Sequence, residues 1–89
     1  MNDVELRLRD ALGDAAFTIG RASEAEVRLS DTSVSRRHAE VRPTGDGWTI
    51  VDLGSTNGTR VNGVPVTDHR LQDGDTITVG DASLRFEAS

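Results

Sequence analysis

Cysteine and lysine are both missing from this chain of 89 residues. Without cysteine there is no disulfide framework and no thiolate metal site, which fits a reducing compartment. Long apolar runs are missing too: none approaches the roughly 18 residues that a membrane span requires. Residues 1–20 include Asp3, Glu5, Asp10 and Asp14 and hold no continuous apolar stretch, so no secretory signal is read there. The expected location is the cytoplasm, and a parent protein is free to carry an anchor elsewhere. Positive charge is scarce as well. The formal net charge is −5 and the pI about 4.8, which opposes general binding to nucleic acid or to an anionic membrane.

What is present is distributed unevenly. All ten basic residues are arginine, and the fifteen acids are scattered along the chain. Yet residues 32–39 and 53–67 contain no acid at all, and these windows carry Arg36, Arg37 and Arg60. Should the two windows meet in space, they form a local anion site on an acidic protein. Arginine suits that task because its planar fork matches phosphate oxygens. The plainer alternative is a set of ordinary solvated arginines.

Apolar residues recur with period two. Val4, Leu6 and Leu8 alternate with charged residues, and the same alternation runs through Phe17/Ile19, Val27/Leu29, Ala39/Val41, Trp48/Ile50, Ile77/Val79 and Ala82/Leu84/Phe86. That is the pattern of strands with one buried face. Between them lie turn signals: Gly13-Asp14, Gly45-Asp46-Gly47, Asn57-Gly58, Asn62-Gly63, Asp73-Gly74-Asp75 and Gly80-Asp81. The nearest helix candidate, 3–16, is interrupted by Gly13. Many short strands separated by tight turns predict one all-β domain over 1–89, a sandwich or barrel. A chain this short has little room for a deep, water-excluding cleft, so function is expected on loops held by a rigid scaffold. Residues 30–37 and 53–63 break the alternation and are expected to be structured loops. Both coincide with the acid-free windows.

A site for a phosphate monoester needs a fixed cation, hydroxyl or amide donors, and backbone brought close by small residues. Arg21 after Gly20, Ser35 with Arg36, and Ser55-Thr56-Asn57-Gly58 supply that inventory. Asn57 carries both a donor and an acceptor and is suited to grip the backbone of an extended peptide.

These residues resemble the forkhead-associated (FHA) domain, the phosphothreonine-binding module of signalling proteins in Ser/Thr kinase pathways. The matching elements, in family order, are Ile19-Gly20-Arg21, Val27-Arg28-Leu29-Ser30-Asp31, Val34-Ser35-Arg36-Arg37-His38-Ala39 and Asp52-Leu53-Gly54-Ser55-Thr56-Asn57-Gly58-Thr59. Val61-Asn62-Gly63, Leu71-Gln72-Asp73-Gly74-Asp75 and Ile77-Thr78-Val79-Gly80 complete the set. The resemblance implies an FHA/SMAD-like two-sheet β-sandwich of about eleven short strands, with binding loops at one end. It implies that Arg21 and Ser35 hold the phosphate, that Arg36 supports it, and that Thr56 offers a hydroxyl nearby. Asn57 then bonds the peptide backbone, and His38 braces the loops from behind. The family's preference for threonine over serine is attributed to a small pocket for the extra methyl group. No motif position departs from the pattern. The implied partner is a phosphothreonine-bearing segment, in another protein or in the parent chain, bound by a module expected to be monomeric in isolation. Neither cofactor nor metal is expected.

Each position has a plainer role beside the sharper one. Gly20 and Gly58 serve backbone turns, with close peptide approach secondary. His38 as a metal ligand lacks company, and a Ser35/His38 nucleophilic pair lacks a nucleophile elbow. Arg37 is a rim charge; Arg60 follows the Asn-Gly turn and is a rim candidate. Asn62-Gly63 is a hairpin turn, Trp48 a core residue, and Asp31 and Asp52 are isolated acids serving their own loops rather than a Mg²⁺ site. Against phosphate capture stands a phospho-independent interaction domain that works through a sheet face.

Overall fold

The computed structural model describes residues 3–7, 16–45 and 47–87. Leu8, the Gly13-Asp14 turn and Asp46 lie outside the described residues. Ten strands are present among those described: β1 (Asp3–Arg7), β2 (Phe17–Gly20), β3 (Val27–Arg28), β4 (Ala39–Thr44), β5 (Gly47–Asp52), β6 (Thr59–Val61), β7 (Val64–Val66), β8 (Asp68–Leu71), β9 (Thr76–Val79) and β10 (Ala82–Glu87). They form two five-stranded sheets, in the orders β1-β10-β9-β6-β7 and β3-β2-β4-β5-β8. The β-sandwich is therefore as expected, with ten described strands against about eleven implied.

Burial follows the alternation. Phe17, Ile19, Ala39, Val41, Ile50 and Leu71 of one sheet face Val61, Ile77, Val79, Ala82, Leu84 and Phe86 of the other in a single core. Trp48 is half-buried against that core, its ring tilted at 56° to Phe17 with centroids 6.4 Å apart. Leu29 and Val34, outside any strand, close one end of the core.

Three strands escaped the sequence pattern. The stretch 53–63, expected as loop throughout, ends in β6, where buried Thr59 and Val61 flank exposed Arg60. A three-residue strand is too short to display a period. β7 and β8 sit at the edges of their sheets, and β8 buries only Leu71, so neither shows a clean apolar face.

Antiparallel pairing sorts the turns to two ends. Thr59 pairs with Val79 and Val61 with Ile77, while Ala39 pairs with Asp52 and Thr44 with Gly47. The segments after β2, before β4, between β5 and β6, and between β9 and β10 therefore share one end. The β4–β5, β6–β7 and β8–β9 turns share the other. At that far end Asn62 (φ 53°) and Gly63 (φ 84°) both take positive φ, as a two-residue type I′ hairpin demands.

Candidate functional site

The two acid-free windows do meet, at the loop-bearing end. Residues 30–37 form a polar loop whose one aliphatic side chain, Val34, is 1% exposed and sits in the core. That anchor fixes Ser35 beside it. His38 is wholly buried behind the loops. Its Nδ1 accepts the Ser35 amide at 3.1 Å, so the ring proton resides on Nε2, which donates to the Gly58 carbonyl at 2.7 Å. One imidazole thus ties both windows together. Both ring nitrogens are spent on backbone groups of the two loops, and neither is bonded to the Ser35 hydroxyl.

Ser35 and Arg21 are held with their best donors unspent. The Arg21 amide donates to the Ser35 carbonyl at 3.0 Å, and Arg21 Nε donates to the Val34 carbonyl at 3.0 Å. The terminal nitrogens of the guanidinium make no hydrogen bond or ion pair with described residues. Ser35 Oγ accepts the Thr56 amide at 3.0 Å, which leaves its own proton to give. Thr56 is exposed; its amide is spent on Ser35 and its hydroxyl is not. Asn57, also exposed, donates from Nδ2 to the Ser33 carbonyl at 2.8 Å. One amide hydrogen and Oδ1 are left over, so Asn57 links two loops as well as offering a grip.

The loop between β5 and β6 is folded around a carboxylate. Asp52 Oδ2 accepts the Gly54 and Ser55 amides, both at 3.0 Å, and Oδ1 accepts the Ser55 hydroxyl at 2.5 Å and the Thr59 hydroxyl at 2.7 Å. Burial alone would push this carboxyl up. The bonds from Ser55, Thr59 and Gly54 outweigh burial and hold it below its ordinary value of 3.8. Ser55 Oγ also accepts the Gly58 amide at 3.0 Å. Ser55 therefore leaves the ligand-binding inventory: its hydroxyl is consumed inside the loop. Asp31 plays a similar local part, accepting the Ser33 hydroxyl at 2.7 Å and amide at 2.9 Å, and these bonds hold its carboxyl below the usual range.

The third loop of the cluster is the β9–β10 turn, within residues 80–82, a loop surface the sequence suggested for side-chain specificity without giving its contacts. The Asp81 amide donates to Ser33 Oγ at 2.7 Å, and Gly80 takes φ 59° with its α-carbon packed so that a Cβ would overlap the Ser33 carbonyl oxygen. Gly20 needs correcting. It lies in β2 and makes no turn; a Cβ there would overlap the Arg36 carbonyl oxygen. The space is needed by this chain's own backbone. Gly58, at φ 85° with nothing near its missing Cβ, is a turn glycine as expected. Asn62 does more than turn a hairpin. Its Nδ2 donates to Asp75 Oδ1 and its Oδ1 accepts the Thr76 amide, both at 2.9 Å, at the end away from the site. Arg36 and Arg37 are exposed beside Ser35, and Arg60 is exposed on β6 opposite Thr78. Among the described residues no group of His, Asp and Glu is arranged to hold a metal ion.

The model of the FHA domain matches residues 17–80. The chain belongs to this family. It is 44% identical over 87 residues to the FHA domain-containing protein FhaA of Mycobacterium tuberculosis, covering 91% of this chain and 16% of FhaA. It is 42% identical over 80 residues to the oxoglutarate dehydrogenase inhibitor of Corynebacterium glutamicum, covering 90% of this chain and 56% of that protein. It is 41% identical over 78 residues to the glycogen accumulation regulator GarA of M. tuberculosis H37Rv, covering 88% of this chain and 48% of GarA. The FHA domain thus spans about half, or less, of the curated relatives it matches. Among solved structures, the FhaA FHA domain complexed with the intracellular domain of Rv3910 superposes with a TM-score of 0.75 at 47% identity, over 79% of this chain and 77% of that one. M. tuberculosis EmbR in complex with a low-affinity phosphopeptide gives 0.78 at 36% identity, over 82% and 20%.

Proposed function

We propose that this FHA domain captures a phosphorylated threonine in a segment of another protein or of its own parent chain. One observation carries the reading. The Arg21 guanidinium and the Ser35 hydroxyl are both fixed from behind, yet their outward donors are unspent in a cluster where, among the described residues, no arginine is ion-paired. A dianionic phosphate would accept several charge-assisted bonds there at once. Arg36 and the Thr56 hydroxyl stand beside it, and Asn57 has a donor and an acceptor left for peptide backbone. The complex of EmbR with a phosphopeptide, and that of the FhaA FHA domain with the intracellular domain of Rv3910, support the reading. The module holds its partner and does no chemistry on it, since both nitrogens of His38 are committed to bracing. The whole chain 1–89 acts as one such unit, in the cytoplasm.

A sheet-face partner finds less support: Val64, at 60% exposure, is the one large exposed apolar residue within 16–45 and 47–87. Titration of a phosphothreonine peptide against its unphosphorylated twin decides the matter. Strong preference for the phosphorylated form is expected; equal affinity would remove the reading.

A further inference from the structure

Two Asn-Gly pairs occur in this chain, Asn57-Gly58 in the binding loop and Asn62-Gly63 in the hairpin at the far end. An asparagine before glycine is chemically labile, because the next backbone nitrogen can attack the side-chain carbonyl carbon and glycine leaves that nitrogen unshielded. Both asparagines are exposed, and a Cβ on either glycine would meet nothing within 4 Å. Access therefore does not separate the two pairs. Hydrogen bonding does.

At residue 62 both ends of the carboxamide are tied. Nδ2 donates to Asp75 Oδ1 and Oδ1 accepts the Thr76 amide, both at 2.9 Å, so attack by the Gly63 nitrogen has to break two bonds. At residue 57 one bond holds the carboxamide, from Nδ2 to the Ser33 carbonyl at 2.8 Å, and Oδ1 is unspent. The attacking group differs as well. The Gly58 amide donates to Ser55 Oγ at 3.0 Å, and the Ser55 hydroxyl donates to Asp52 Oδ1 at 2.5 Å. That chain is a path for the amide proton to a carboxylate.

We infer that Asn57-Gly58 is a site of self-modification that switches the binding loop off, while the clasp on Asn62 holds the second pair back. The Gly58 nitrogen passes its proton through Ser55 Oγ to the Asp52 carboxylate and bonds to the Asn57 side-chain carbonyl carbon. The bond from that carbon to Nδ2 breaks, and the nitrogen takes up the proton and leaves as ammonia. Water then opens the resulting succinimide ring at either carbonyl, giving aspartate or its isoaspartyl isomer. Conversion removes the donor to the Ser33 carbonyl. It also sets a carboxylate one residue from Thr56, whose amide bonds Ser35 Oγ, and a bound phosphate is repelled by a like charge there. The loss of binding rests on the phosphothreonine reading; the conversion does not.

The test keeps the folded domain in warm, mildly alkaline buffer and samples it over time. Trypsin cleavage after Arg37, Arg60 and Arg70 gives fragments 38–60 and 61–70, with one pair in each, and mass spectrometry reads the exchange of NH₂ for OH. Asn57 should convert about three- to tenfold faster than Asn62, the worth of the one additional carboxamide bond at 62. In urea the two rates should converge, because the bonds that separate them are gone. Ser55→Ala cuts the proton path and should slow conversion at 57, whereas Ser55→Thr keeps the hydroxyl and should not. Equal rates in the folded domain, a difference that persists in urea, or undiminished conversion in Ser55→Ala overturns the inference. The converted protein and Asn57→Asp should both bind a phosphothreonine peptide at least about tenfold more weakly. Full affinity after conversion overturns the switch. If phosphorylated and unphosphorylated peptides bind alike, the phosphothreonine reading falls while the conversion, read by mass, stands.

Discussion

His38 Nε2 donates to the Gly58 carbonyl at 2.7 Å, while the other nitrogen of the same ring accepts the Ser35 amide at 3.1 Å. Truncating this side chain removes the link between the two loops and leaves two backbone groups short of a partner. His38→Ala should cost about 2–4 kcal/mol and weaken phosphopeptide binding, because Ser35 loses its support. Thermal melting and titration check both effects, and an unchanged melting temperature would speak against the brace.

Arg21 and Ser35 should behave in the opposite way. Arg21→Ala is expected to reduce phosphothreonine-peptide affinity more than about tenfold with a near-normal melting temperature. Arg21→Lys should recover little, since an ammonium has neither the fork nor the Nε contact to Val34. Ser35→Ala should abolish binding and cost about 1 kcal/mol, because the Thr56 amide loses its acceptor.

The glycines rank by mechanism. Gly58→Ala strains only a positive φ and should cost about 1–2 kcal/mol. Gly20→Ala drives a methyl into the Arg36 carbonyl and should cost about 3 kcal/mol. Gly80→Ala combines strain and overlap and should be the worst of the three. Chemical denaturation of the variants tests the order.

Two pH windows should separate. The folded Asp52 carboxyl titrates below its ordinary 3.8. Its stabilisation is therefore complete above the unfolded value and is lost as pH falls through the folded one. Asp52→Asn should lose about 1–3 kcal/mol at pH 7, and the gap to the wild type should close as the solution is acidified below about pH 4. Phosphopeptide binding should weaken earlier, as pH falls through about 6 and the phosphate loses charge. Denaturation and titration across pH distinguish the two.

Phosphothreonine should bind tighter than phosphoserine in an otherwise identical peptide. A ratio of one would confine the claim to phosphate recognition.

Much of the sandwich was legible because Phe17/Ile19, Ala39/Val41 and Ala82/Leu84/Phe86 alternate over enough residues to show a period. Thr59–Val61 and Asp68–Leu71 were not, one being too short and the other exposed at an edge. For the site, the acid-free windows marked two loops as candidate partners, and the structure joined them. What stayed hidden depended on pairing across the chain. Nothing local to Gly20 reveals that Arg36 needs its space, and nothing near Ser33 indicates that it receives the amide of Asp81, 48 residues away. Asp52 was readable as an acid serving its own loop, since an Asp two residues before a glycine favours a local turn in which its carboxylate caps the following amides.

The clasp of Asn62 on Asp75 and Thr76 lies at the end of the sandwich remote from the phosphate donors. Asp75 also accepts the Gln72 amide at 2.8 Å, so one buried carboxylate joins the β6–β7 and β8–β9 turns. The domain therefore has a hem and an opening. Substitutions in the exposed parts of the opening can rewrite what is recognised while the hem keeps the two sheets in register, and libraries aimed at new peptide specificities should leave Asn62 and Asp75 alone.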